Sequence, residues 1–347
     1  MRRASPARDA PLPTTYARPD APATPPGRAS TARRPVRHLE PLEGAPRVTS
    51  TEPVTTPRRP PRTALRATVV RAEHLSPALV RVTLGGPGVA GFAPSPHADS
   101  YVKLVFLPGV GTTTSGADVL ATWTTPDGRV DMEAARAALP PEHQPRTRTY
   151  TVRGFDDLEL TLTIDLVVHG AEGIAGPWAA TASPGDEVVV VGPGGGYSPD
   201  LTADHHLLAG DASALPAIAV ALERLGGAAS GHAVLEVHDR AEEIPLHVPD
   251  GIALHWVHAG DAAPGARLVE AVRALPWPVG RVHAFVHGEA GSVRDLRRYL
   301  RVERGLGKAD LSISGYWRLG ADDEGWRAGK RDWLRGIEDA EAAAGLD

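Results

Sequence analysis

The hydrophobic pattern of this chain changes period near Asp204, and that change restricts it to a two-part architecture. Ahead of it, apolar residues fall on alternate positions. Within 79–84, Val80, Val82 and Leu84 share one face while Arg81 and Thr83 take the other; within 158–164, Leu158, Leu160, Leu162 and Ile164 alternate with Glu159, Thr161 and Thr163. A period of two buries one face of a strand and wets the other, as in an antiparallel sheet or barrel. Residues 101–107 and the apolar run 187–191 predict further strands, and 131–139 predicts a helix. The run Gly192-Pro193-Gly194-Gly195-Gly196 is expected to turn the chain between domains, because no Gly-Lys-Ser/Thr follows to make it a phosphate loop. Beyond Asp204, short apolar strands at 206–209, 233–237, 252–257, 283–286 and 311–314 alternate with helical stretches running to Leu225, over 267–275 and over 292–303. Strands alternating with helices imply a parallel sheet with helices packed on it. The expected fold class is an antiparallel β-barrel over 63–202 followed by a parallel-sheet α/β domain over 203–320, with a C-terminal helical tail over 321–347.

Residues 1–62 are rich in Pro, Arg, Ala and Thr and poor in large apolar groups. They bury too little surface to offset chain ordering and are expected to be a disordered extension, read as a solvated tail ahead of a basic partner-binding arm. The N-terminal arginines have no apolar core behind them, so no secretory signal is expected. No stretch reaches the ~18 uninterrupted apolar residues of a membrane-spanning helix. A net charge of −5 over 347 residues does not suggest a protein built to coat nucleic acid. Cysteine is absent, which removes disulfides, thiolate zinc sites, iron–sulfur clusters and cysteine nucleophiles together. Redox chemistry in this chain would need an organic cofactor, haem or a His/carboxylate metal site. The expectation is a cytoplasmic monomer with no nucleic-acid and no membrane partner.

Two segments carry candidate chemistry. In Arg148-Thr149-Tyr150-Thr151-Val152-Arg153, strand alternation puts Arg148 and Tyr150 on one face. Arg148 offers a planar fork of donors suited to phosphate. Tyr150 offers an aromatic face and a hydroxyl suited to a flavin or its ribityl chain, and Thr151 can hydrogen-bond the isoalloxazine edge. Taken alone, the hexapeptide fits an ordinary barrel strand better. The second segment is Asp165-Leu166-Val167-Val168-His169-Gly170, then Gly173, then Gly176-Pro177-Trp178-Ala179-Ala180. Gly176 is expected to cap a short helix with Pro177 at its first position, aiming backbone N–H groups at an anion such as a diphosphate. A loop and helix that merely close the barrel, with His169 structural, is the bland reading.

The ordered set Arg148-x-Tyr150-Thr151, Asp165-x-Val167-x-His169-Gly170 and Gly173-x-Ala175-x-x-Trp178-Ala179 resembles the FAD-binding region of siderophore-interacting proteins, which belong to the ferredoxin-reductase-like superfamily. The resemblance continues through Pro184-Gly185-Asp186, Gly192-Pro193-Gly194-Gly195, Ala209-Gly210-Asp211-x-x-Ala214-Leu215-Pro216-Ala217-Ile218, Gly288-Glu289 and Ser314-Gly315-Tyr316-Trp317, covering roughly 63–335. It implies an FAD-dependent NAD(P)H oxidoreductase that reduces ferric siderophores, with FAD contacts at Arg148, Thr149, Tyr150, Thr151, Asp165, Val167, His169, Gly170, Gly173, Ala175 and Gly176. Two positions depart from the family: Gly176 replaces a small hydroxyl residue and Ala212 replaces an acidic one.

Gly210-Asp211-Ala212-Ser213 lies between a predicted strand and a predicted helix, where open α/β sheets hold ligands. Gly210, Asp211, Ser213, Ala214 and, through the resemblance, Glu289 are therefore assigned to NADPH or NADH, against the reading of an ordinary capped helix. Ferredoxin is an alternative donor within the family. Lys103, Arg153 and Arg318 are candidates for the ferric siderophore, because basic groups beside a flavin attract anionic complexes, and Trp317 is a candidate for the flavin or substrate surroundings, against the reading of a buried core Trp. Arg294, Arg297, Arg298 and Arg301 fall on one helix face at i, i+3, i+4, i+7, read as a solvated basic face. No resident metal and no catalytic side chain are expected, since the chemistry is centred on the flavin. A general flavin or quinone reductase, or a non-catalytic siderophore- or flavin-binding protein, would share these features.

Overall fold

The computed structural model describes residues 63–110, 114–170 and 173–346; the segment 1–62, expected to be a disordered extension, lies outside the described residues. Strands β1 (Thr63–Ser76), β2 (Leu79–Gly85), β3 (Tyr101–Phe106), β4 (Arg146–Asp156), β5 (Thr161–Val167) and β6 (Glu187–Gly194) close an antiparallel barrel in the order β1-β2-β5-β4-β3-β6. Its inward residues Val80, Val82, Leu84, Val102, Leu104, Leu162, Ile164 and Leu166 form one buried cluster, so the period of two does set the inner face. Helices α1 (Pro87–Ala90), α2 (Met132–Ala138) and α3 (Ala175–Thr181) plug or flank it. Asp131 starts α2 by accepting the N–H groups of Glu133 and Ala134.

Two expectations for the barrel are corrected. The alternating run 158–164 is not one strand. The Asp156 carboxylate accepts the N–H groups of Leu158 (2.8 Å) and Glu159 (2.9 Å), which folds a tight turn, and Leu160 takes a left-handed φ of 50°. Leu158 is consequently 93% exposed, and the strand begins at Thr161. The glycine-rich run, in turn, is strand before it is turn. Gly192 pairs with Thr63 and Gly194 with Tyr101, and a Cβ at Gly194 would lie 2.2 Å from the Tyr101 ring. The chain leaves the barrel only afterwards, where Asp99 accepts the N–H groups of Gly196 and Tyr197.

The second half is a five-stranded parallel sheet: β7 (His205–Asp211), β8 (Gly231–Val237), β9 (Ile252–His258), β10 (Val282–Glu289) and β11 (Leu311–Trp317), in the order β11-β10-β7-β8-β9. The first strand sits in the middle, so the connections leave it in both directions. The reversal falls between β7 and β10, and the crevice outside their carboxyl ends is where open α/β sheets take ligands. Helix α4 (Leu215–Arg224) is buried from Leu215 to Leu222 because it is covered on both sides. Leu79, Ala98 and Tyr197 of the barrel half join Leu208, Ile218, Leu222 and Phe285 in a single cluster, which welds the two halves together. Helices α5 (Ala266–Ala274) and α6 (Ala290–Arg298) belong to the sheet half, and α7 (Asp323–Ala343) closes the chain.

The arginine face of α6 is not uniformly solvated. Arg294 and Arg298 are exposed, but Arg297 makes a bidentate pair with the buried Glu341 of α7 (2.6 and 2.9 Å), and Arg301, also buried, lies 3.7 Å from the same carboxylate. The carboxylate covering them lies about forty residues downstream and has no signature in the helix's own periodicity.

Candidate functional site

The barrel has a seam. Residues 152–156 of β4 pair with β5, whereas residues 146–151 are matched in register only with β3, from Phe106↔Arg146 to Tyr101↔Thr151. Beyond the divergence β5 continues against β2, ending at Leu79↔Val167. Arg148, Thr149, Tyr150 and Thr151 therefore lie on a strand edge facing away from β3. Val168 and Ile174 of the loop after β5 pack against the same core cluster as Tyr150. A Cβ added to Gly170 (φ 61°), Gly173 (φ 82°) or Gly176 would meet nothing within 4 Å, so there is open room beside the backbone, and the first two need their left-handed φ.

Tyr150 is half-buried against the barrel core, and burial pushes its hydroxyl well above the usual phenol range, so the group stays a protonated donor. Thr151 is buried and Thr149 exposed. Arg148 is half-buried, and its guanidinium is engaged: Nη1 and Nη2 donate to the two carboxylate oxygens of Glu324 at 2.6 and 3.0 Å, and Nη1 reaches Asp323 at 3.3 Å. The Arg148 bond holds the Glu324 carboxyl below its ordinary range, whereas burial raises that of Asp323.

Asp165 is not available as expected. It is 2% exposed and bidentate with Arg81 of β2 (2.7 and 2.8 Å), a cross-strand pair that ties β2 to β5. Val167 packs toward the sheet half, and His169 and Gly170 are exposed on the loop. Helix α3 starts at Ala175, one residue ahead of the expected cap at Gly176; Ile174 occupies the cap position and makes no side-chain bond. Ala175, Trp178 and Ala179 are buried in the barrel core, and that anchoring sets where the helix begins.

At the reversal between β7 and β10, the expected nicotinamide residues turn out to be tightly knit. Gly210 lies inside β7, where a Cβ would sit 2.5 Å from Ala214 and 2.7 Å from the His287 carbonyl. Ala214 is buried at the start of α4. Asp211 is buried and accepts four donors: the Ser213 N–H (2.9 Å) and hydroxyl (2.5 Å) on one oxygen, the Glu289 N–H and the Trp317 indole N–H (both 2.8 Å) on the other. Burial raises its carboxyl against those four bonds. Gly288 has a φ of 144°, and a Cβ there would fall 2.6 Å from the same carboxylate. Glu289 caps α6 through the Gly291 and Ser292 N–H groups. Asp211, Ser213 and Glu289 thus spend their side chains on the protein's own groups at the carboxyl ends of β7 and β10, with the half-buried Trp317 tied to Asp211.

The expected substrate groups do not line one cavity. Lys103 lines a recess of about 410 Å³ with Asp131, Glu133, Arg136, Thr147 and Arg327, which includes none of the other three. Arg153 makes a bidentate pair with Glu223 of α4, Arg318 is exposed, and the half-buried Trp317 is tied to Asp211.

Residues of α7 are the part sequence reasoning missed. Besides the Arg148 contacts, Arg327 donates to the Thr147 hydroxyl (2.9 Å), and Lys330 donates to the Ser314 hydroxyl (3.0 Å) and the Gly315 carbonyl (2.7 Å). Trp326 is buried against Gly315. Residues 323–330, about two turns of helix, thus span from the barrel seam to β11, where burial raises the Tyr316 hydroxyl well above the usual phenol range. Trp326, Trp333 and Ile337 recur at heptad-like spacing, a signal that this helix must dock. The residue types present suit an FAD: the Tyr150 ring offers an aromatic face, Gly170, Gly173 and Gly176 leave room beside the backbone, and Arg148 offers a guanidinium once Glu324 gives it up.

Two family models match the chain, "Siderophore-interacting FAD-binding domain" over residues 68–197 and "Siderophore-interacting protein" over residues 203–320. An uncharacterised protein of Mycobacterium tuberculosis is 45% identical over 290 residues, covering 79% of this chain and 95% of the relative. A ferric vibriobactin reductase of Vibrio cholerae is 33% identical over 259 residues, covering 74% of this chain and 90% of the relative. Among solved structures, a siderophore utilization protein from T. fusca superposes with a TM-score of 0.63 at 38% identity, covering 76% of this chain and 95% of that one.

Proposed function

The chain belongs to the siderophore-interacting protein family, and on that premise we propose that it is an FAD-dependent reductase of ferric siderophores, drawing electrons from NADPH or NADH. The observation that carries the reading is that Arg148 and Tyr150 share a stretch of β4 matched only with β3, in a chain whose following loop keeps open room at Gly170, Gly173 and Gly176. In this reading Arg148 holds phosphate, Tyr150 packs along the ring system, and Thr149, Thr151, His169, Gly170, Gly173, Ala175 and Gly176 line the remainder. Asp165 acts indirectly, by fixing Arg81 and the end of β5.

When bound, FAD would accept the two electrons of a hydride together and release them singly, which a one-electron acceptor such as Fe(III) requires. For each NAD(P)H consumed, two ferric complexes are reduced to Fe(II) and one proton is released. Fe(II) is softer and less charged, so hard-oxygen siderophores hold it less tightly. No side chain has to move a proton for this to occur. The protein orients and insulates: Asp211 fixes the sheet edge, Trp317 walls the crevice, and Arg318 presents positive charge to an anionic complex.

A cytoplasmic, monomeric protein is part of the proposal, because nicotinamide donors are held in that compartment. The described residues contain no helix long and apolar enough to cross a membrane. The test is anaerobic reduction of ferric siderophores by the purified holoprotein with each nicotinamide, reading Fe(II) with a chelator. The expected result is Fe(II) release well above a blank of free FAD. No release above that blank with either donor overturns the proposal.

A further inference from the structure

The first turn of α7 holds the cation on which the flavin reading centres. Arg148 can grip an anion end-on through Nη1 and Nη2 or side-on through Nε and one Nη, as Arg81 grips Asp165, and the end-on fork that accepts two phosphate oxygens also accepts two carboxylate oxygens. Here Glu324 fills the fork with both oxygens, at 2.6 and 3.0 Å, and Asp323 adds a second carboxylate at 3.3 Å. Phosphate oxygens cannot take that fork while Glu324 keeps it. A phosphate arriving beside it would also meet two like charges within a few ångströms.

The rest of the helix is fastened independently of this contact. Trp326 is buried over Gly315, Lys330 is bonded to Ser314 and Gly315, and Glu341 is paired with Arg297. The linker before it is exposed from Arg318 to Ala321, with Gly320 in a left-handed conformation (φ 77°) and one bond, from the Leu319 N–H to Glu289 (3.3 Å), so Asp323 and Glu324 at the helix start can leave Arg148 while Trp326 and the remainder stay docked. Glu324 is itself 38% exposed at its side chain and can turn to solvent at small cost.

We propose that Asp323 and Glu324 set the flavin affinity of this protein, by competing with the FAD diphosphate for Arg148, so that loading releases the first turn of α7 from β4. The inference rests on the flavin reading of the preceding section. It makes a distinction that a purely structural ion pair does not: the competition acts on phosphate, so it weakens FAD but leaves riboflavin, which has no phosphate, untouched.

The experiment measures dissociation constants of FAD and riboflavin, by quenching of flavin fluorescence, for apoprotein prepared from wild type, Glu324→Gln and, separately, Asp323→Asn. Both variants keep side-chain volume, and the favourable charge each gives up at the helix N-terminus acts on FAD and riboflavin alike. The expected result is FAD binding about tenfold tighter in Glu324→Gln, a smaller gain in Asp323→Asn, and unchanged riboflavin binding. Saturating FAD should also speed proteolytic cleavage of the linker around Arg318 in wild type. Equal FAD affinity in all three proteins, or a parallel gain for riboflavin, overturns the competition while leaving the flavin site standing. A wild type and variants that are folded by circular dichroism yet bind no FAD overturn the flavin reading, and the competition with it. If Glu324→Gln does not fold, Asp323→Asn and the proteolysis of wild type decide the matter alone.

Discussion

Acid should destabilise this protein in part through one histidine. His287 of β10 is 5% exposed, stacked 3.9 Å from Phe285 and 4.8 Å edge-on from Tyr316. Its Nε2 lies 3.1 Å from the Ser312 hydroxyl, and its Nδ1 is buried without a partner. A second ring proton would therefore point at no acceptor. Burial, with the Lys330 ammonium as a lesser contribution, pushes its pKa from 6.5 down to about 3. The unfolded chain takes up this proton near pH 6.5 and the folded protein refuses it until about pH 3. Stability that is complete above pH 6.5 is thus lost progressively as pH falls toward 3, at about 1.4 kcal/mol per pH unit and about 4–5 kcal/mol in all. His206 and His283 are shifted in the same direction, mainly by burial, and steepen the slope further. Urea unfolding of wild type and His287→Gln at several pH values isolates the term, because glutamine can serve Ser312 but does not titrate in this range. Wild type should lose about 2 kcal/mol more than the variant between neutrality and about pH 5. Parallel pH curves for the two proteins would refute the reasoning, whatever their offset at neutral pH.

Three further outcomes follow from the geometry. Asp211→Asn sets an amide N–H₂ against donors already aimed at that carboxylate, so it should cost about 2–4 kcal/mol in chemical denaturation and alter tryptophan emission through the freed Trp317. An unchanged midpoint and spectrum would show that the four-donor arrangement contributes nothing. Glu341→Ala removes the buried carboxylate that Arg297 grips with two bonds and should cost about 3 kcal/mol, read as a lowered urea midpoint. Leu158→Ser should change stability by less than about 0.5 kcal/mol, because the side chain is 93% exposed in a turn; a loss several times larger in the thermal melt would restore it to a strand core.

The barrel's inner face was readable because alternation along a strand is local: Val80, Val82 and Leu84 need only know their neighbours to face inward, and they do. The same rule failed at Leu158, where the pattern was equally regular. A single Asp156 carboxylate bonded to two backbone N–H groups there outweighs two apolar side chains in favour of a turn. Periodicity scores side chains and is blind to where the backbone's own donors go.

The candidate site divides in the same way. Sequence order singled out Arg148, Tyr150 and the glycines, because residue type alone limits what a guanidinium, a phenol ring or a left-handed backbone can do. It did not say that Asp165 answers Arg81, that Asp211 holds Trp317, or that Glu324 answers Arg148 from far along the chain. Those are pairings of charges and donors across a fold, and they depend on which surfaces meet. From the sequence alone came the two architectures, their order and the chemistry available on each strand, all set by interactions within a few residues. Only the tertiary structure decided which of those groups are free and which are already bound to another, because burial and partner are properties of assembled surfaces and not of any one segment.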